Sequence, residues 1–151
     1  MPSKNKLSLS VQYPDTRLAA VATRPLLRRW VQAALLAPAE LTIRFVNSAE
    51  GRALNHDYRG KDYATNVLTF AYSEDEAEDT VRADLVLCTD VLQQEAAAQN
   101  KTVVAHVAHL VVHGVLHAQG YDHEDDAEAE EMEALETQVM ARLGFADPYA
   151  A

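Results

Sequence analysis

The stretch "TVVAHVAHLVVHGVLHA", residues 102–118, is apolar nearly all round at helical spacing, and a helix without a polar face has to run through a core. Its neighbours in the chain supply the cover. "DVLQQEAAAQN" (90–100) precedes it as a helix, and "EDDAEAEEMEALETQVMARL" (124–143) follows as one. The last helix is expected to bury Met132, Leu135, Val139 and Leu143 and to keep its glutamates outside, with Asp125, Asp126 and Glu128 complementing the dipole at its start. Upstream, "LSLSV" (7–11), "ELTIRFVN" (40–47), "NVLTFAY" (66–72) and "RADLVLC" (82–88) read as strands. "RPLLRRWVQAALL" (24–36) places Leu27, Trp30, Val31, Ala34 and Leu35 on one helical face, and Pro38 closes it. "SAEGRALNHDYRG" (48–60) is a shorter helix, with Ser48 expected as its N-cap and Gly60 at its exit. The acidic "SEDEAEDT" (73–80) is expected to be a solvated loop. The sum is an α+β (mixed α/β) fold: one sheet of about four strands packed against five or six helices, a single domain over residues 1–151.

The formal charge of −10 argues against a polyanionic partner when taken as an average. The charge is segregated, however: residues 1–61 hold ten basic and four acidic side chains, whereas residues 62–151 hold three and nineteen. A local basic surface from the first part is therefore open, beside the plainer reading that both sets are solvated. The one cysteine, Cys88, lies in an apolar strand pattern and suits a reducing compartment. No apolar run approaches the roughly 20 residues of a membrane span and no signal-peptide pattern is present, so a soluble cytoplasmic protein is expected.

Four histidines, His106, His109, His113 and His117, fall within roughly an 80° arc of the core helix. They cannot share one ion, because residues i and i+8 are separated by roughly 12 Å of axial rise while zinc takes nitrogens at about 2.0–2.1 Å. An i, i+4 pair is the most a straight helix supplies. Gly120 can end the helix in a left-handed conformation, reversing the chain and returning His123 over the last turn. His113, His117 and His123 are thus the expected metal ligands, with His109 and His106 lining the approach or packed in the core. Three neutral imidazoles leave zinc's fourth position open, which is the pattern of a catalytic site.

The spacing His113, His117, Gly120, His123 resembles that of the metzincin proteases and suggests a zincin-like metal site. Position 114 is glycine where those enzymes carry the glutamate that serves as general base, so a peptidase or amidase is the second reading. "HLVVHGVLHAQGYDH" (109–123) resembles more fully the signature of the YbeY-type endoribonucleases, and "YRGKDYATNVLTF" (58–70), "ADLVL" (83–87) and "EDDAEAEEMEALE" (124–136) are similar to that family in kind and order. Ala64 and Ala71 stand where the family commonly has proline, and Ala83 where it commonly has glycine.

The resemblance implies single-strand-specific cleavage of RNA, a part in maturing the 3′ end of the small-subunit (16S) rRNA, ribosome quality control and a cytoplasmic location. Its implied partners are single-stranded RNA, rRNA and the ribosomal small subunit, with no membrane. It also implies one zinc ion per chain on His113, His117 and His123, and makes Arg59 the functional arginine. Chemically, a guanidinium suits the non-bridging oxygens of a phosphate gaining charge, which is the role expected of Arg59 in "YRGKD". Asp122 either orients an imidazole or caps the following helix. Lys61, Arg44 and Arg52 are candidate phosphate contacts. The nucleophile, solvent or the RNA 2′-OH, stays open, as does the native metal, since imidazole also suits nickel, copper and iron. A third reading is a non-catalytic ribosome-assembly factor in which zinc only pins the last helix.

Overall fold

A computed structural model of the chain describes residues 5–72, 80–121 and 124–149. Nine elements follow one another: β1 (Leu7–Gln12), α1 (Arg24–Ala34), β2 (Ala39–Val46), α2 (Ser48–Arg59), β3 (Val67–Tyr72), β4 (Val81–Cys88), α3 (Thr89–Ala98), α4 (Val103–Ala118) and α5 (Asp126–Arg142). The four strands form one sheet in the order β1-β2-β4-β3. β1 and β4 run parallel to β2, from Leu7↔Ala39 and Ala39↔Val81 onward, while β3 runs antiparallel to β4 at the edge, from Val67↔Leu87 to Tyr72↔Arg82. This α+β architecture agrees with the strand and helix periods in the sequence; the acidic link at 73–79 lies outside the described residues.

Period-two alternation assigns the sheet's two faces. Leu41, Ile43, Phe45, Ala83, Leu85 and Leu87 join the main core beneath α1, α4 and α5. Val46, Leu68, Val86 and Cys88 face the other way, against Leu54 of α2, Ala64, Phe70 and Val91. Cys88 is buried, as its apolar neighbours predict. α4 runs through the core and touches β3, β4, α1, α3 and α5.

Local chemistry sets the helix ends. Thr23 caps α1 by accepting from Leu26 N–H, with Pro25 in the first turn where its missing donor costs nothing. That helix ends at Ala34, two residues before the sequence pattern does, because Leu35 is already extended. α2 is capped by Asn47, not Ser48: the Asn47 side chain accepts from Glu50 N–H at 2.9 Å. Ser48 instead gives both its backbone N–H and its hydroxyl to Asp90 of α3. Gly60 ends α2 at φ +68°, the left-handed conformation expected there. α5 is capped by Asp125, which accepts from Glu128 N–H at 2.8 Å. The expectation that all its glutamates face solvent fails at one position, since Glu136 is 0% exposed. No helix among the described residues is long and apolar enough to cross a membrane.

Candidate active site

α4 carries the histidine stripe, and one glycine sets its depth. A Cβ at Gly114 would lie 2.7 Å from Leu85 Cδ2 and 3.4 Å from Thr69 Oγ1, so the absent side chain lets α4 sit directly on β4 and β3. With position 114 facing the sheet, His113 and His117 are turned away from it by roughly 100° and 60° in the same sense. The stripe points past the edge strand: His106 Nε2 meets Glu95 of α3 at 3.0 Å, and Glu95 accepts from Asn66, the residue before β3.

The end of α4 behaves as its glycine predicts. Gly120 has φ +101°, its N–H bonds to His117 C=O at 3.0 Å, and Tyr121 N–H reaches back to Leu116 C=O at 3.2 Å. These are the two bonds of a Schellman motif, which reverses the chain over the last helical turn. The reversal aims the Tyr121 carbonyl at the stripe, where it accepts from His117 Nδ1–H at 2.9 Å.

His113 Nδ1–H donates to Glu136 Oε1, inserted from α5. With both Nδ1 atoms protonated, the lone pairs of His113 and His117 sit on Nε2. The two rings are nearly parallel, 11° apart, with centroids separated by 6.3 Å. That pair is the part of the site suited to holding a soft or borderline metal ion. Among the described residues no three histidine, cysteine or carboxylate side chains are arranged so that they could hold a metal ion. His123 and Asp122, the remaining expected ligand and its neighbour, lie outside the described residues.

Glu136 is the site residue that the sequence reading placed wrongly. Its carboxylate also accepts from His109 Nε2–H at 3.4 Å and from the Tyr149 hydroxyl. Burial raises its pKa, and the bonds from His109, His113 and Tyr149 outweigh that, holding it at about 2. Burial and the adjoining carboxylate push the Tyr149 phenol above its ordinary range. A signal was available: on the helical wheel Glu136 falls about 20° beyond Leu143 and about 40° from both Met132 and Met140, a charged residue bordering an apolar stripe. His109 is buried beside it, edge-on to Tyr149 at 5.3 Å. Of the two places expected for His109, the core is the one it occupies.

The basic candidates lie in and around α2: Arg52 and Arg59 within it, Lys61 just past it, and Arg44 on β2 bonded to Glu50 of α2. Arg59 ends α2 and is exposed, with Lys61 exposed one residue past Gly60. The preceding Tyr58 ring packs on Phe70 of β3 at 4.3 Å, which fixes this corner against the edge strand. Asn55, fully buried, donates to Tyr63 C=O at 2.7 Å and holds the turn that follows. Arg52 is bidentate on Asp62 at 2.7 and 2.8 Å, and Arg44 bonds Glu50 and Gln12. The described site therefore joins His109, His113, Glu136 and Tyr149 into one network beside His117, while Arg59 and Lys61 stand across the sheet edge from it.

A family model described as Endoribonuclease YbeY matches residues 8–144. Among similar proteins, the Endoribonuclease YbeY of Janthinobacterium sp. (strain Marseille) is 71% identical over 149 residues, covering 99% of this chain and 98% of that protein. That of Herminiimonas arsenicoxydans is 67% identical over 151 residues, covering 97% of each. The solution structure of TM1509 from Thermotoga maritima superposes with a TM-score of 0.53 at 21% identity, covering 95% of this chain and 99% of that one, a likeness of fold.

Proposed function

Because the chain belongs to the YbeY endoribonuclease family, we propose that it is a zinc-dependent, single-strand-specific endoribonuclease. We place its action in the maturation of the 16S rRNA 3′ end and in ribosome quality control, on the small subunit in the cytoplasm. His113, His117 and His123 would hold one zinc ion in a zincin-like arrangement. The observation that carries this reading is the matched pair of imidazoles one turn apart, each with Nδ1 committed to an acceptor and its lone pair therefore on Nε2.

Bound there, zinc supplies a Lewis-acid charge beside the scissile phosphate. The remaining work belongs to the chain. Arg59 places its guanidinium on the non-bridging oxygens as they gain charge, where two parallel N–H bonds act best. Lys61, beside it in the turn, holds a neighbouring phosphate of the strand. Arg44 and Arg52 contribute to binding by exchanging their carboxylate partners for phosphates. Asp122, next to His123, orients that ligand. We place the open strand along β3, between the histidine stripe and the Arg59 corner, where Ala71 and Tyr72 are exposed.

Among the described residues, position 114 speaks against a peptidase. A glutamate at position 114 would start 2.7 Å from Leu85 and run into the sheet, away from the histidines. The test is metal content and cleavage of single-stranded and duplex RNA by the parent, His113→Ala, His117→Ala, His123→Ala and Arg59→Ala. The histidine variants should lose metal and cleavage together. Arg59→Ala should keep its metal and lose about 10²–10³-fold in rate. Cleavage by His117→Ala at the parent rate would refute the proposal. An Arg59→Ala protein that supports rRNA maturation as well as the parent would favour the non-catalytic assembly role.

A further inference from the structure

Glu136 carries more consequence than a place in the α5 stripe requires. Its neighbours on that face, Met132, Val139 and Met140, are apolar and buried, and an apolar side chain would complete the same packing. A carboxylate taken out of water costs several kcal/mol unless its lone pairs are used. Here they are used, by three side chains from two parts of the chain: His109 and His113 on α4, and Tyr149 beyond α5. Tyr149 is itself held in place, since Asp147 accepts from its backbone N–H at 2.8 Å and Pro148 C=O accepts from Lys101 Nζ.

Two imidazole N–H groups and a phenol hydroxyl converge on the two carboxylate oxygens, and this arrangement makes Glu136 the acceptor and each partner the donor. His113 is thereby confined to the tautomer with hydrogen on Nδ1, and its ring cannot turn over without stranding a buried charge. We infer that Glu136 is a positioning residue: it fixes the tautomer and ring orientation of His113 so that Nε2 is preset as a ligand before any ion arrives. Tyr149 completes the carboxylate's bonding and closes it off at the side away from His113. The inference rests on the proposed metal role of His113, and it assigns the Tyr121 carbonyl the same duty toward His117, so that side chain and backbone divide one task.

The test uses the full chain freed of metal. In the parent, ¹⁵N-resolved NMR of the histidine rings should show His113 with hydrogen on Nδ1. In Glu136→Gln, which keeps the shape and offers an amide, His113 should populate both tautomers, and zinc affinity measured by chelator competition should fall about 10–100-fold. Glu136→Asp, one methylene short, serves if the amide variant fails to fold, and should weaken zinc comparably. Tyr149→Phe should leave the His113 tautomer as it is and alter zinc affinity by less than about threefold. If Glu136→Gln and Glu136→Asp fold cooperatively, keep the parent's His113 tautomer and bind zinc as the parent does, Glu136 is an anchor for α5 and the inference is overturned. If the parent itself binds no zinc, the metal reading fails, while the ring signals still decide whether Glu136 sets the tautomer.

Discussion

Gly114→Ala adds a single methyl group at the one place where α4 meets the sheet without a side chain between them. The new Cβ would stand 2.7 Å from Leu85 Cδ2, 3.1 Å from its Cγ and 3.4 Å from Thr69 Oγ1. Carbon atoms pack at about 3.5–4.0 Å, so the first contact is short by about an ångström. Leu85 is 0% exposed in a close-packed interior and can retreat only by pressing on its own neighbours. Overpacking of this kind costs about 1–3 kcal/mol, whereas replacing a mid-helix glycine by alanine returns about 1 kcal/mol. With the contact short by so much against a fully buried leucine, the steric cost falls in the upper part of that range, about 2–3 kcal/mol, and a net loss of about 1–2 kcal/mol is expected. Urea unfolding of the metal-free protein measures it as a lower midpoint at unchanged slope. Leu85→Ala, which alone should cost about 2–5 kcal/mol for the cavity it opens, makes room for the methyl. The double variant should therefore be more stable than the sum of the singles predicts, by more than about 0.5 kcal/mol. A Gly114→Ala protein as stable as the parent, or strict additivity with Leu85→Ala, would refute the close approach of α4 to β4.

Gly120→Ala should cost about 1–2 kcal/mol, because φ +101° is strained for any side chain although the space around it is open. It should also weaken zinc by displacing the Tyr121 carbonyl from His117, and unchanged zinc affinity would count against that link. Asn55→Ala leaves Tyr63 C=O without its donor, a loss of about 1–3 kcal/mol by urea unfolding. It should raise the KM for single-stranded RNA with metal content intact, and an unaltered KM would separate the 60–66 turn from substrate binding. The Asp90 carboxyl is held below its ordinary 3.8 by the Arg17 guanidinium and then by Ser48. A depressed carboxyl binds its proton more weakly folded than unfolded, so this stabilisation is whole above pH 3.8 and fades as pH falls below it. Asp90→Asn should therefore be less stable than the parent by about 1 kcal/mol at pH 7, given partial exposure and screening. The gap should narrow toward pH 2.5 in urea titrations; a gap that widens on acidification would contradict the ion pair.

Much of the architecture is legible because its signals are local. The strand alternations, the Gly60 and Gly120 exits and the all-round apolar α4 each follow from residues close together in the chain. Asn47 displaced Ser48 as a cap because both side chains suit that position, and the choice turns on Asp90, forty-two residues away, claiming the serine. Gly114 is conspicuous in sequence as the missing glutamate of another pattern, but its own reason, contact with Leu85, depends on how the helix lies on the sheet. Glu136 was hidden by its company. Surrounded by glutamates that do face water, it differs from them only by its angle on the helix and by partners from α4 and the segment after α5.

The most direct measurement is a titration of zinc into the metal-free protein in the presence of a single-stranded RNA of fixed sequence, with the initial cleavage rate followed at each addition. The rate should climb in proportion to added zinc and level at one equivalent per chain, with no rise for His117→Ala. Cleavage already at full rate in the chelated protein, or a rate indifferent to zinc, would contradict zinc dependence.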